Sequence, residues 1–495
     1  MSEREIKEKN IPFERKYIPF NRLFNPRAVA VIGVSKDRDW GGSHYLETFK
    51  EYEYAEPVYP VNPKYAGEEI QGFNVYDSIS SLPDDPPIDL GIVAVPAKIT
   101  PQIVEELGQK GVFFAHIFSS GFSELGEEGY NLEKQLLEKA RKTHIRILGP
   151  NCMGIYNPKG RIGFTHHLPL EVGPVAFISQ SGGIAGRHSR IGSSNSYFFS
   201  KVISLGNQID LDIVDFLNYF RTDPDTRVIS MYIENIKRSG NDFVQFLKKT
   251  TKEKPVIIWK GGKLEAGHSA VMSHTGGLAG DMKLWRAMAH QTGIILVRNF
   301  KELIEMIQTC ITYKIPRTLG TAIITGGGGP AVEMTDECEL NGLKIPRITE
   351  KAQKMINEYI PEINSNLTNP LEFGANGSHE NLIKTLQILD NESHISTIMI
   401  TIRPERIISQ GLDMDESINS FANALSPNSE KNLVSIDMPF EPREETIDAL
   451  QEFRPKMIKK GILVYNSVDL AAKSIYRLWT YGNYLKNHGY NLYLQ

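Results

Sequence analysis

Ala28-Val29-Ala30-Val31-Ile32-Gly33-Val34-Ser35 is an apolar run that stops on glycine and serine. Apolar residues at successive positions leave no polar face, which reads as a parallel strand buried on both sides and entering a loop. The loop continues through Lys36-Asp37-Arg38-Asp39-Trp40-Gly41-Gly42-Ser43, and a helix is expected from about His44 to Lys50. Strand, glycine-bearing loop and helix present free backbone amides and the positive end of a helix dipole to a phosphate. The tight dinucleotide fingerprint is missing, because the glycines stand at 33, 41 and 42. From this segment alone, a simple strand-to-helix turn remains the alternative.

Working outward, the same alternation continues. Val58–Val61, Leu90–Val95, Val112–Phe118 and Ile145–Leu148 read as strands, with helices at about Ile99–Gly108 and Leu132–Lys142. Strands alternating with helices predict a doubly wound parallel sheet, whose ligands sit beyond the carboxyl ends of the strands. The loops at 33–36, 62–64, 95–97, 119–122 and 149–152 all fall at that edge. Lys64 is placed to pair with a phosphate, the alternative being a solvated surface lysine. A second unit opens near Gly173 with Pro174–Ile178, the turn Ser179-Gln180-Ser181-Gly182-Gly183 and a helix. It continues through strands at Lys201–Asn207, Val228–Asn235 and Pro255–Lys260. A third follows a break near Pro316-Arg317: strand Gly320–Thr325, turn Gly326-Gly327-Gly328-Gly329 with Pro330 at the first helical position, and a helix over Ala331–Asn341. Strands at about Thr397–Thr401 and Leu433–Asp437 and a helical tail complete it. The expected fold is α/β with three Rossmann- or flavodoxin-like doubly wound domains at 25–160, 161–316 and 317–495. A polar arm over 1–24 precedes them.

Composition narrows the function. A length of 495 residues accommodates about three domains. A net charge of −4 and a pI near 6.3 argue against a dedicated nucleic-acid binder. Cys152, Cys310 and Cys338 are far apart and form neither a metal spacing nor a disulfide framework, which fits a reducing cytoplasm. No signal peptide and no membrane-length apolar run is read, and no metal ligand set is expected.

One loop carries the candidate chemistry. Ala270-Val271-Met272-Ser273-His274-Thr275-Gly276-Gly277-Leu278-Ala279-Gly280 sets one histidine among small residues that let backbone amides approach a bound group. Neutral imidazole is a competent nucleophile near pH 7. The loop follows a strand, Glu234 ends another, and Ser181 opens the helix after a third, so the three are expected to converge at one sheet edge.

The order of these motifs resembles that of the α subunits of ADP-forming (more broadly NDP-forming) acyl-CoA synthetases, in the succinyl-CoA synthetase superfamily. The matching elements are AVIGVS (near 29–35), VNPK (61–64), AVP (94–96), GPNCMGI (149–155), ISQSGG (178–183), YIENI (232–236), SHTGGLAG (273–280), TGGGGPAVEMTD (325–336) and NPLEF (369–373). The resemblance implies a coenzyme A site made by Gly33, Val34, Ser35, Lys36, Lys64, Val95, Pro96, Ser119, Ser120, Gly121, Pro150 and Asn151. It makes the first domain CoA-binding and the other two succinyl-CoA-synthetase-like. It implies that His274 is a phosphohistidine, oriented by Glu234. Ser181, Gly182, Gly183 and Gly326, Gly327, Gly328, Gly329 would open two helices that cradle the phosphoryl group. The family's last motif more often reads NPVD, so Glu372 carries a longer arm than expected.

The implied chemistry is acyl-CoA + ADP + phosphate ⇌ carboxylic acid + CoA + ATP, through acyl phosphate and phosphohistidine. No ATP-grasp domain is visible. The resemblance therefore implies a separate ATP-grasp β subunit holding ADP or ATP and Mg, in an α2β2 assembly, with no membrane or nucleic-acid partner. The choice between ADP and GDP would lie on that subunit. Two alternatives stay open. One is a non-catalytic CoA-binding regulatory protein, which would need neither Glu234 nor His274. The other is an NAD-dependent oxidoreductase, which would want an acidic residue where Asn62-Pro63-Lys64 stands.

Overall fold

Strand β1 (Val29–Ile32) is buried at all four positions, as its two-sided apolar sequence requires. In the computed structural model the described residues are 19–36, 41–267, 281–360, 366–437 and 444–490. The chain divides into two compact units, one of residues 1–193, 198–250 and 260–285, the other of 194–197, 251–259 and 286–495.

In the first unit β1 lies between β2 (Val58–Val61) and, past a short hairpin of β3 (Glu69–Ile70) and β4 (Phe73–Asn74), β5 (Leu90–Val93). The sheet continues through β6 (Phe114–Ile117) and β7 (Arg146–Leu148) in the order β2-β1-β5-β6-β7, parallel throughout. The chain leaves β1 to one side for β2 and returns to the other side for β5. That reversal opens a crevice at the carboxyl ends, between the loops after β1 and β5. The helix Gly42–Glu51 follows β1, two residues longer at its start than the sequence predicts.

A second array in the same unit sets β9 (Val175–Ser179) between β10 (Phe199–Ser204) and β11 (Val228–Ile233), both parallel to it. β8 (Gly154–Tyr156) adds an antiparallel edge to β10. Asp210 ties this array to the first sheet: its carboxylate takes two hydrogen bonds from Arg146, at 2.8 and 2.7 Å, and one from the Ile147 amide at 2.9 Å. The end of the polar arm is core. Phe20–Phe24 is a short helix whose Phe20, Leu23 and Phe24 are buried, with the Phe24 ring stacked 5.0 Å from Tyr219.

In the second unit β12 (Val256–Lys260), whose last residue belongs to the first unit, pairs in parallel with β13 (Ile295–Val297). β14 (Thr321–Thr325), β15 (Leu371–Glu372), β16 (Thr397–Ile400), β17 (Asn432–Ile436) and β18 (Leu463–Tyr465) form a parallel sheet in the order β15-β14-β16-β17-β18. Its core gathers Ile324, Leu371, Phe373, Ile398, Ile400 and Phe453. β18 lies where the sequence suggested only a helical tail. Ile462-Leu463-Val464-Tyr465 is apolar and buried, and so short an apolar run cannot be told from a buried stretch of helix by periodicity. The helix after β14 starts at Gly328, three residues earlier than expected, so Pro330 is its third residue. No described helix is long and apolar enough to cross a membrane.

Burial sets a pH limit on the first unit. His116, on β6, is 2 % exposed and hydrogen-bonded through Nε2 to the Cys152 carbonyl at 3.2 Å. Burial pushes its pKa down to about 4, the hydrogen bond only partly opposing it. Unfolded, the ring titrates near 6.5, so between these values the unfolded chain binds more protons and stability falls as pH falls. We expect the free energy of unfolding, from urea titration, to drop by about 2 kcal/mol from this group between pH 7 and pH 4.5. His116→Gln should flatten that part of the pH dependence.

Candidate functional site

The site is assembled by one side chain amide. Gln180, in the turn after β9, receives the Glu234 amide N–H on its Oε1, and that of Asn235 at 3.0 Å. Its Nε2 donates to the Asn235 carbonyl at 2.8 Å. The end of β11 is thereby fixed against the Ser181–Gly183 turn. Glu234 Oε1 accepts from the Tyr232 hydroxyl at 3.0 Å, and the Gly261 amide donates to the Ile233 carbonyl at 2.8 Å. Lys260 thus ends beside Glu234. Burial pushes the Lys260 ammonium down to about 8, the Glu234 carboxylate pulling the other way and Lys263 reinforcing the shift. Ser181, Glu234 and the start of the loop after β12 do converge. His274 itself lies outside the described residues.

The turn leaves amides for a ligand. The Ser179 hydroxyl donates to the Ser181 carbonyl at 2.7 Å, and the Ser181 hydroxyl caps the helix Gly182–Ser194 by accepting from Ile184 N at 3.3 Å. The N–H groups of Gly182 and Gly183 belong to the first turn, where no intrahelical acceptor exists. A Cβ on Gly182 would stand 2.6 Å from Met153 Cγ, whereas one on Gly183 would meet only Ser181 Oγ at 3.9 Å.

In the second unit the construction repeats at the same offsets. Thr325 ends β14, its hydroxyl donates to the Gly327 carbonyl at 2.9 Å, and the helix Gly328–Leu340 begins three residues after the strand. No Cβ contact within 4 Å arises at Gly326 or Gly329. Gly328 differs: a Cβ there would lie 3.2 and 3.4 Å from the Glu372 carboxylate oxygens. The Glu372 carboxylate thus faces the start of this helix. Asn369 explains the motif before it. Its Oδ1 accepts from Ile323 N at 3.0 Å and its Nδ2 donates to the carbonyls of Thr321 and Pro346 at 2.9 and 2.8 Å, guiding β15 alongside β14.

The third cluster is the carboxyl edge of the first sheet. All twelve residues expected to hold coenzyme A follow β1, β2, β5, β6 or β7 there. Lys36, Lys64, Pro96, Ser120 and Asn151 are exposed, while Val34 and Pro150 are buried. The last two shape the edge through their carbonyls, which accept from Asn62 Nδ2 at 2.6 Å and from Asn207 N at 2.9 Å. Ser35 exchanges hydrogen bonds with Ser43, N to Oγ at 2.8 Å and Oγ to O at 2.5 Å, closing the loop onto its helix. Lys64 donates to Tyr65 OH at 2.8 Å, and Lys36 pairs with Glu68 at 2.5 Å. The Ser119 hydroxyl donates to the Val95 carbonyl. Gly121 N donates at 2.6 Å to Glu124, whose carboxyl is held below its usual value: burial opposes this, but hydrogen bonds from Asn207 and the Gly121 and Phe122 amides outweigh it. Trp40, the bulky residue of the loop after β1, lies outside the described residues.

Sequence reasoning missed Gln180, Tyr232 and Lys260 as parts of the site. Glutamine in a serine- and glycine-rich turn carries no pattern of its own. Lys260 had one available signal, a cation at the carboxyl end of an otherwise apolar strand.

Known proteins align with this arrangement. Residues 27–158 match a CoA binding domain and residues 172–310 a succinyl-CoA ligase like flavodoxin domain. The α subunit of acetate–CoA ligase (ADP-forming) II of Pyrococcus furiosus is 37% identical over 377 residues, 76% of this chain and 81% of that one. Acetate–CoA ligase (ADP-forming) I of Archaeoglobus fulgidus is 36% identical over 77% of this chain, which spans 55% of its length. Among solved structures, the dinucleotide forming acetyl-coenzyme A synthetase 1 of Ca. Korarchaeum cryptofilum, in complex with phosphate and ADP, superposes with a TM-score of 0.82. Its identity is 26%, and 95% of this chain and 99% of that one are covered.

Two glycines differ in what an added side chain would meet. Gly33 has φ +93°, and a Cβ would stand 2.5 Å from the Ala94 carbonyl oxygen. Gly33→Ala should destabilise the chain by about 1–3 kcal/mol in urea titration. Gly183→Ala should stay within about 0.5 kcal/mol of wild type.

Proposed function

The chain belongs to the family of ADP-forming acetate–CoA ligase α subunits, and we propose that it works as the α subunit of an acid–thiol ligase interconverting acyl-CoA + ADP + phosphate and carboxylic acid + CoA + ATP. The observation that supports this reading is the Gln180 tie, which fixes the end of β11, where Glu234 stands, against the Ser181–Gly183 turn. We assign coenzyme A to the loops of 25–160, the first phosphoryl cradle and His274 to 161–316, and the second cradle to 317–495.

In the proposed reaction an oxygen of phosphate attacks the thioester carbonyl. The C–S bond breaks, CoA leaves as the thiol after taking a proton, and an acyl phosphate remains. A ring nitrogen of His274 then attacks phosphorus, and the carboxylate leaves with the electrons of the O–P bond. The phosphoryl group passes from His274 to the terminal phosphate oxygen of ADP. Such transfers depend on positioning and charge stabilisation more than on covalent chemistry from the protein. Amides at helix starts supply fixed dipoles toward the developing charge. Glu234 orients the imidazole and offsets its positive charge after transfer. We place ADP, ATP and Mg on a separate ATP-grasp β subunit in an α2β2 assembly in the cytoplasm.

With the β subunit present, acyl-CoA plus phosphate and no nucleotide should leave an acid-labile, alkali-stable phosphate that mass spectrometry maps to His274. His274→Ala should abolish both labelling and turnover. Glu234→Gln should slow labelling by about tenfold or more while coenzyme A binding is kept, and Lys64→Ala should weaken that binding in the chain alone. Phosphate on another residue of the active complex, or full activity in His274→Ala, would overturn the assignment.

A further inference from the structure

Lys260 closes the apolar run Val256-Ile257-Ile258-Trp259 with a charge, yet the residue is only 1% exposed. Among the described residues its ammonium donates one hydrogen bond, to the Gly261 carbonyl. It also stands 5.9 Å from the centre of the Trp285 ring, which is buried. Gly261 opens the stretch in which His274 stands in the sequence, and Trp285 belongs to the first turn of the helix Met282–Thr292 that follows it. Lys260 thus meets both ends of that stretch.

An ammonium withdrawn from water costs free energy unless anions or several acceptors compensate it. One neutral carbonyl and one ring face compensate little. Burial accordingly pushes the ammonium down to about 8, with Glu234 opposing the shift and Lys263 adding to it. A methionine would fill the same end of the strand without that cost, so packing alone gives no reason for the charge.

Glu234 is held from its other side. The Tyr232 hydroxyl donates to Glu234 Oε1 at 3.0 Å, and burial, with the Glu234 charge, pushes the phenol up, so it keeps the proton it donates. A Cβ on Gly261 would stand 2.6 Å from that hydroxyl oxygen, which wedges the phenol against the residue that holds the ammonium. Among the described residues the carboxylate accepts only on Oε1, and Oε2 is left open.

We propose that Lys260 is a positioning residue for the phosphoryl transfer, acting with Tyr232 around Glu234. The phenol fixes the carboxylate by one oxygen and leaves the other for the imidazole. The ammonium offsets the negative charge that gathers when a phosphoryl group comes to lie near that carboxylate, a full charge where helix starts supply partial ones. It also ties Gly261 to Trp285. The proposal rests on the roles assigned to His274 and Glu234 above.

The test uses the chain with its β subunit, acetyl-CoA and radiolabelled inorganic phosphate, and follows the label on His274. Lys260→Met should slow labelling by about tenfold or more at pH 7, with half-saturating acetyl-CoA within about twofold of wild type. Its melting temperature should equal or exceed that of wild type, because a buried charge has been removed. The wild-type rate should fall as pH rises through about 8, where the ammonium loses its proton, and Lys260→Met should lack that limb. Tyr232→Phe should slow labelling by about threefold or more and keep the limb. An unchanged rate in Lys260→Met, an alkaline limb that survives in it, or a melting temperature lowered along with the rate would each overturn the proposal. Absence of label on His274 in the wild-type complex would overturn the parent assignment, and this proposal with it.

Discussion

The side chain amide of Gln180 is the constraint on which the catalytic reading depends. A glutamine amide has a fixed donor and acceptor, and here both are spent on the backbone at the end of β11. Glu234 and Asn235 are hydrogen-bonded to Oε1, and the Asn235 carbonyl to Nε2. The turn that presents the open amides and the strand end that presents the carboxylate become one rigid piece. Lys260 feels the Glu234 carboxylate from a position where burial pulls its pKa down to about 8. The site is therefore a balance of one acid, one weakened base and two uncommitted N–H groups.

Two turns built alike but lined differently suggest a division of labour. Both end a buried strand in a hydroxyl that donates to the carbonyl two residues on, and both start a helix one residue later. At the first the open side is bounded by Met153, at the second by the Glu372 carboxylate. An acid stands near each helix start, Glu234 on the strand end tied to the first turn and Glu372 against Gly328 at the second.

Much of this was legible along the chain, for reasons that differ by motif. Buried parallel strands announce themselves by unbroken apolar runs, so β1, β5, β9 and β14 were readable, and their carboxyl-end loops with them. The asparagines of the VNPK and NPLEF motifs are stitches: Asn62 joins the loops after β2 and β1, and Asn369 stands in for a strand beside β14. Their spacing could be recognised, but their work could not, since it is done on backbone groups remote in sequence. β18 was missed because its short apolar run, next to helical sequence on both sides, reads equally well as part of a buried helix.

What the sequence by itself determined is the succession of strand, glycine turn and helix, and with it the loops and glycines that stand at the carboxyl edge of each sheet. Local rules govern these: periodicity, the conformational freedom of Gly33, and capping at helix starts. Only the tertiary structure decided which of those residues meet. Gln180 reaches across 55 positions to Asn235, Lys260 is brought beside Glu234, and Glu372 comes to lie on Gly328. Pairings of that kind depend on strand order and on which side chain fills a gap between loops. Neither quantity is encoded in any short window of residues, because each is settled when the sheets close and most buried polar groups find a partner.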